Sequence, residues 1–410
     1  MDKTDAVIPF PPPPGPSPQG AGAFQGREKS HLSLSPTGRE APAGKAWSWF
    51  RPFRAGLFPL LLSPASFLPF SCTTPPPVPP PLRGMSFTFQ EAKGLGLEKG
   101  ITRRDPSDII LVDGVYYVYY TKVIQSSLPR SSRRLRTTGY VGTIWCASST
   151  DEGRTWKESG PVLGKGPAGA FDSFAVFTPN ILEYEGRFYL YYTGVAPTRA
   201  GGKTFENNSR TDRTAIGVAV ADSPRGPFRR ISTEPVLSPS PPSKEPGHPS
   251  PFDSYRVDDA SLLLRDFDGD GDLEVWLYYK GRNIDYGSKG PGKTMMGLAV
   301  ADRPEGKFRR ANGGRPILPG SHEVLVWPHG RGVAAYASLT RTVEYAPDGV
   351  DFTSRPLHAP ALPRPLAPGG FRPDLTHPTT FGAGLRWGLS MKEGPYPFLV
   401  RFKVHYRPRP

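Results

Sequence analysis

Three short phrases hold acids that could act on one bond: residues 103–107 read RRDPS, residues 256–260 RVDDA and residues 321–324 SHEV. Two carboxylates with a proton donor are the equipment of glycoside hydrolysis, in which one group activates water and another protonates the leaving oxygen. Asp105, Asp258 and Glu323 are the candidate carboxylates. His322 is the candidate acid, because Glu323 beside it favours its protonated form. Arg103, Arg104 and Arg256 adjoin the acids, and a neighbouring guanidinium keeps a carboxylate ionised, as a general base requires. Asp259 competes with Asp258 for one role; His329 and His377 compete with His322 for another. A single Asp-Pro also serves as a turn initiator or strand cap. Recurrence at corresponding places is what favours chemistry.

Those places are set by a repeat. DPSDIILVDGVYYVYYT (105–121), TPNILEYEGRFYLYYT (178–193) and DDASLLLRDFDGDGDLEVWLYY (258–279) are each an apolar strand, a turn and a second strand dense in Tyr and aliphatics, the signal of a β-hairpin. A second phrase follows each, running from Gly142, Ala215 and Met296 to a closing PVL or PIL. Two hairpins make a four-stranded blade, so blades are expected over 103–165, 172–240 and 254–320. Degenerate fourth and fifth copies start at His322 and His377, giving an all-β, five-bladed β-propeller. SFTFQ (86–90) alternates as a strand should and is expected to close the ring in the fifth blade. A propeller gathers the starts of its inner strands around the axis. That alignment brings together Asp105, Thr178, Asp258, His322 or Glu323, and His377, with Arg104, Thr178, Asp259 and His377 as candidate substrate contacts. The repeated tyrosines are assigned to packing.

Residues 1–84 read differently. PPPPGPSP and PPPVPPP cannot donate to a sheet, so a disordered, Pro-rich extension is expected ahead of a catalytic domain over 85–410. Met85 is a candidate start, with 1–84 as upstream sequence. The apolar run 55–70 is interrupted by three prolines and lies too deep for an ordinary signal peptide, which favours the cytoplasm over secretion or the periplasm. No uninterrupted apolar run of membrane-spanning length is present. The net charge of +14 and the cluster Arg130, Arg133, Arg134 and Arg136 lack interleaved aromatics or a recognition helix, so no nucleic-acid partner is expected. Cys72 and Cys146 form no metal-ligand pattern. Asp266, Asp268 and Asp270 resemble the start of an EF-hand loop, but its twelfth position is Leu277, and a polar turn is the expectation there. No cofactor is required; a divalent cation on the axis or at those three aspartates is the metal chemistry left open.

RDPSDII, AFDSFAVFTPNI, YRVDDASLL and SHEVLVW, in that order, resemble glycoside hydrolase family 117, the 3,6-anhydro-α-L-galactosidases or neoagarobiose hydrolases, over about residues 86–404. RDPS and VDDA are shared with arabinanase and fructosidase relatives; the adjacent His-Glu is more particular. The resemblance implies an inverting exo-hydrolase of agar degradation that releases 3,6-anhydro-L-galactose from the non-reducing end of neoagaro-oligosaccharides. Asp105 would be the base, Asp258 an assisting acid near the sugar, Glu323 the third carboxylate and His322 the general acid. It also implies a homodimer exchanging an N-terminal helix, which residues 1–84 do not supply. An arabinanase- or xylosidase-like enzyme with Glu323 as acid, and a non-catalytic carbohydrate-binding propeller, are the alternatives.

Overall fold

The computed structural model describes residues 81–128, 141–196, 198–200, 203–205, 213–266, 269–352, 357–358, 365–372 and 384–406. The chain divides after Ser71, and these residues lie in the unit beginning at Cys72. The expectations for residues 1–80, His377, Asp268 and the arginine cluster fall outside them.

Among the described residues, five antiparallel blades follow one another along the chain. Blade one has Ile101–Arg104 and Ile110–Val112 as an interrupted inner strand, then Val115–Ile124, Thr143–Ser149 and Lys157–Leu163. Blade two has Ala175–Tyr184, Arg187–Ala196, Arg213–Ala221 and Arg229–Arg230. Arg256–Arg265, Glu274–Arg282, Met295–Ala301 and Arg309–Arg310 make blade three. Blade four runs from Val324–His329 through Gly332–Ala337 and Thr342–Ala346 to Leu357–His358. In blade five, Leu366–Gly370, Trp387–Lys392 and Phe398–His405 are completed by Ser86–Glu91, which pairs in register from Ser86↔His405 to Glu91↔Val400. A strand from near the start of the fold therefore closes the ring, as the alternation of SFTFQ predicts. Leu82 and Met85 pack into the adjoining core with Phe87, Trp327 and Phe402.

One blade starts elsewhere than expected. The inner strand of blade five is Leu366–Gly370, upstream of His377, and it reads LAPGG rather than a β-branched run. Its glycines meet a close neighbour: a Cβ on Gly369 would lie 1.8 Å from the carbonyl oxygen of Ser107. Only a residue without a side chain lets blades five and one approach so closely.

The tyrosines behave as packing residues. Tyr119, Tyr191 and Tyr278 are buried between blades, and their hydroxyls donate to the carbonyls of Pro224, Pro304 and Gly349 in the next blade. Each buries a large apolar ring and satisfies its one polar atom at the far end. No helix among the described residues is long and apolar enough to cross a membrane.

Candidate active site

Four of the five inner strands, those of blades one, two, three and five, meet the axis through an irregularity. Pairing slips between Phe177 and Asn180 in blade two and between Asp258 and Ser261 in blade three. The residue at the slip is left-handed: Thr178 has φ 42° and Asp259 φ 52°. Asp105 (φ 50°) and Ala367 (φ 41°) occupy the same place in blades one and five. A bulge adds one residue to a strand and re-aims a side chain, and a β-branched residue at positive φ is a genuine outlier. Four such residues at one level of the axis mark a site where backbone strain is held by the surrounding fold.

The pocket at that level takes consecutive residues from every blade: Asp105-Pro106, Thr178-Pro179-Asn180, Asp259-Ala260, Glu323-Val324 and Ala367-Pro368. Asp105, Thr178 and Glu323 therefore meet as expected, although they are up to 218 positions apart in the sequence (323 minus 105). Asp258 does not line this pocket. The register pairs Asp258 with Lys280 and Phe177 with Thr193, so Asp259 is the counterpart of Asp105 and Thr178, and Asp258 that of Phe177. The expected equivalence of Asp258 with Asp105 is thus corrected by one residue, because the bulge shifts which aspartate faces inward. The phrase FDS could have revealed this. Counted from Phe171-Asp172-Ser173 and Phe252-Asp253-Ser254, Thr178 and Asp259 fall at the same distance.

Charges are paired around the pocket. Arg104 Nε lies 2.6 Å from Asp105 Oδ2. Burial works against the Arg104 guanidinium, but Asp105, and behind it Asp259 and Glu323, hold its pKa above the ordinary arginine value. Lys280 Nζ lies 2.5 Å from Asp259 Oδ2 and 3.2 Å from Asp258 Oδ1, while Arg256 stands 3.8 Å from Asp258. Burial pushes the Asp259 carboxyl up to about 7.

His322 and Glu323 are pinned by one hydroxyl: both backbone N–H groups donate to Ser338 Oγ, at 2.9 and 3.0 Å. Glu323 then lines the pocket. The His322 ring approaches Thr294, with Nδ1 3.3 Å from its Oγ1, and is absent from the lining. His329 is at the other end of the inner strand, where it pairs with Gly332 beside the turn and stacks edge-on against Tyr345. Six residues of strand from Glu323, at about 3.3 Å each, put it roughly 20 Å from the pocket level.

Below the pocket lies a buried ion pair that the sequence reading missed. Asp108 and Arg372 are each about 1% exposed and bonded to one another. Asp108 also accepts from Asn180 Nδ2 and the Gly370 N–H, both at 2.8 Å. Arg372 donates to the carbonyls of Val326 and Leu262. Residues of all five blades therefore meet at this pair, in which the guanidinium and the carboxylate balance one another. At the EF-hand-like turn, Asp266 accepts from the Gly269 and Gly271 N–H groups and Asp270 from that of Asp272. Its carboxylates fold the turn itself, and among the described residues no three metal-binding side chains cluster.

Residues 101–236, covering blades one and two, match the family model described as glycosyl hydrolases family 43. Zg3597, a family 117 glycoside hydrolase of the marine bacterium Zobellia galactanivorans, is similar in structure, with a TM-score of 0.62 and 28% identity over 79% of this chain and 91% of that one. A further structure, described only as a glycoside hydrolase, shares the fold at a TM-score of 0.50 and 13% identity, over 81% of this chain and 93% of its own. No curated protein sequence matches this one. With the fold, the inward carboxylates and both likenesses in agreement, this chain is a glycoside hydrolase of the propeller type represented by families 117 and 43.

Proposed function

We propose that the enzyme is an inverting exo-glycosidase and that the axial pocket is its active site. One observation carries this: Asp105, Asp259 and Glu323, from three blades, line a single pocket. Blades one and four are not neighbours in a ring of five, so Asp105 and Glu323 face one another across the axis. Inversion requires the two carboxyl groups to stand about 6.5–9.5 Å apart, with the sugar and the attacking water between them. Asp105, ion-paired with Arg104, takes the proton of a water attacking the anomeric carbon. Glu323 protonates the departing glycosidic oxygen on the opposite face, and Asp259 accepts a hydrogen bond from a sugar hydroxyl.

The likeness to a family 117 enzyme supports 3,6-anhydro-L-galactose at the non-reducing end of neoagaro-oligosaccharides as the sugar released. The family resemblance favours His322 as acid, whereas the lining of the pocket favours Glu323. Assays of neoagarobiose and of an aryl α-L-arabinofuranoside with wild type, Asp105→Asn, Glu323→Gln and His322→Ala separate the readings. Asp105→Asn is expected to lose about 10²–10⁴-fold in kcat. Glu323→Gln should be inactive on neoagarobiose yet retain activity on an aryl glycoside, whose leaving group needs no proton. An active Glu323→Gln beside an inactive His322→Ala would return the acid role to the histidine. Sugar binding by a wild type that cleaves neither compound would support the carbohydrate-binding alternative, and NMR of the first-formed anomer tests inversion.

A further inference from the structure

Blade three carries a cation that the chemistry above leaves without a role. Lys280 lies directly across the ladder from Asp258 and is about 9% exposed. Blades one and two have Thr121 and Thr193 at the equivalent rung, and both make neutral contacts there: Thr121 Oγ1 accepts from the Thr178 N–H, and the Thr193 hydroxyl bonds that of Thr178. A lysine thus stands where an adjacent pair of aspartates stands. Because the bulge turns Asp259 inward while Asp258 remains on the rung, one ammonium reaches both, at 2.5 and 3.2 Å.

We propose that Lys280 is a positioning residue of the hydrolysis: spanning the two aspartates, it neutralises Asp258 and holds Asp259 as an anion against the sugar. The inference rests on the axial pocket being the active site. Two adjacent carboxylates in a buried place repel, and unless a cation intervenes one of them takes up a proton. Of the other cations in reach, Arg104 is engaged by Asp105 and Arg256 stands beside Asp258, so the ion pair to Asp259 comes from Lys280. Glu323 faces the same pocket from blade four. The balance is close: burial pushes Asp259 up to about 7, Lys280 opposes the push, and Asp258 and Asp105 add to it. Burial also works against the charge of Lys280, but Asp258, Asp259 and Glu323 outweigh it and raise its pKa above the ordinary lysine value.

The test is the pH profile of kcat/KM, which reports the free enzyme. The wild-type acid limb is expected near the Asp259 value of about 7. Lys280→Met should lower kcat and move that limb upward by about 1–3 pH units, since an opposing charge is lost. Asp258→Asn should move it downward, since a like charge is lost while the Lys280–Asp259 pair remains. An ion pair that only supports the fold would lower the melting temperature and leave both limbs in place, which would overturn the proposal. If Lys280→Met fails to fold, Asp258→Asn decides alone: a downward limb supports the role and an unmoved limb removes it. Asp105→Asn separates the two readings. Wild-type rates in Asp105→Asn would remove the active-site assignment and Lys280 with it, whereas an inactive Asp105→Asn beside unmoved limbs would remove Lys280 only.

Discussion

Blades two and three share a scaffold and differ in charge. Each is entered through Phe-Asp-Ser, and in each the aspartate is fully buried. Asp172 accepts from the Tyr192 hydroxyl at 3.0 Å and Arg230 Nε at 2.6 Å; Asp253 accepts from Tyr279 at 2.9 Å and Arg310 Nε at 2.7 Å. The preceding ring fills the space over two glycines. A Cβ on Gly194 or Gly217 would stand 2.4 or 2.5 Å from Phe171, and one on Gly281 or Gly297 would stand 2.3 or 2.4 Å from Phe252. Both inner strands then bulge at a left-handed residue six positions after the aspartate. From there they part: blade two offers Phe177 and Thr178 against Thr193, and blade three offers Asp258 and Asp259 against Lys280. The anchors that fix the backbone are separate from the three side chains that make one blade chemical.

The most forceful way to break that separation is to give blade three the inward residue of blade two. In Asp259→Thr the ion pair of Asp258 with Lys280 is kept, and Thr178 shows that threonine fits the left-handed position. Loss of one group that stabilises the transition state costs about 10²–10³-fold in kcat. That loss is expected with a thermal midpoint close to wild type. Unfolding of the variant, seen by calorimetry, would mean that scaffold and chemistry are not separable here.

A middle-sized effect tests the anchors. Asp172→Asn and Asp253→Asn each remove a buried charge from a guanidinium while leaving an acceptor for the tyrosine. A hydrogen bond to a charged group contributes about 1.5–3 kcal/mol, so a loss of that order is expected in both, measured by urea unfolding. The comparison requires the two losses to agree within about 0.5 kcal/mol, the usual precision of such differences. A large cost in one blade alone would show that the shared phrase has diverged in function.

The same comparison explains what the sequence made legible. Hairpins could be read because Asp113-Gly114 and Glu185-Gly186 are turn residues at positive φ between runs dense in tyrosine. The closing strand could be read from its alternation. Asp258 was misplaced because two consecutive aspartates precede the apolar run, and a bulge, invisible to a count of alternate residues, decides which one points inward. Leu366–Gly370 was missed because glycines chosen for close approach carry no strand signal. The Asp108–Arg372 pair was missed because its partners are 264 positions apart and blade order alone does not place an arginine after the fifth inner strand. What depends on local chain chemistry was readable; what depends on one-residue register or on distant pairing was not.

The smallest expected effect falls on blade two and is the sharpest check on its neutrality. Thr178→Ala removes a buried hydroxyl that bonds Thr193, a loss of about 0.5–1.5 kcal/mol. It also removes the β-branch from a residue held at φ 42°, where a branched side chain is least at ease, and this relief offsets part of the loss. The net change in unfolding free energy is therefore expected to stay below about 1 kcal/mol. Because the hydroxyl is satisfied within its own blade, kcat/KM should change by only a few-fold. A drop of a hundredfold, comparable with that expected for Asp259→Thr, would make Thr178 a substrate contact of equal weight and place chemistry in both blades.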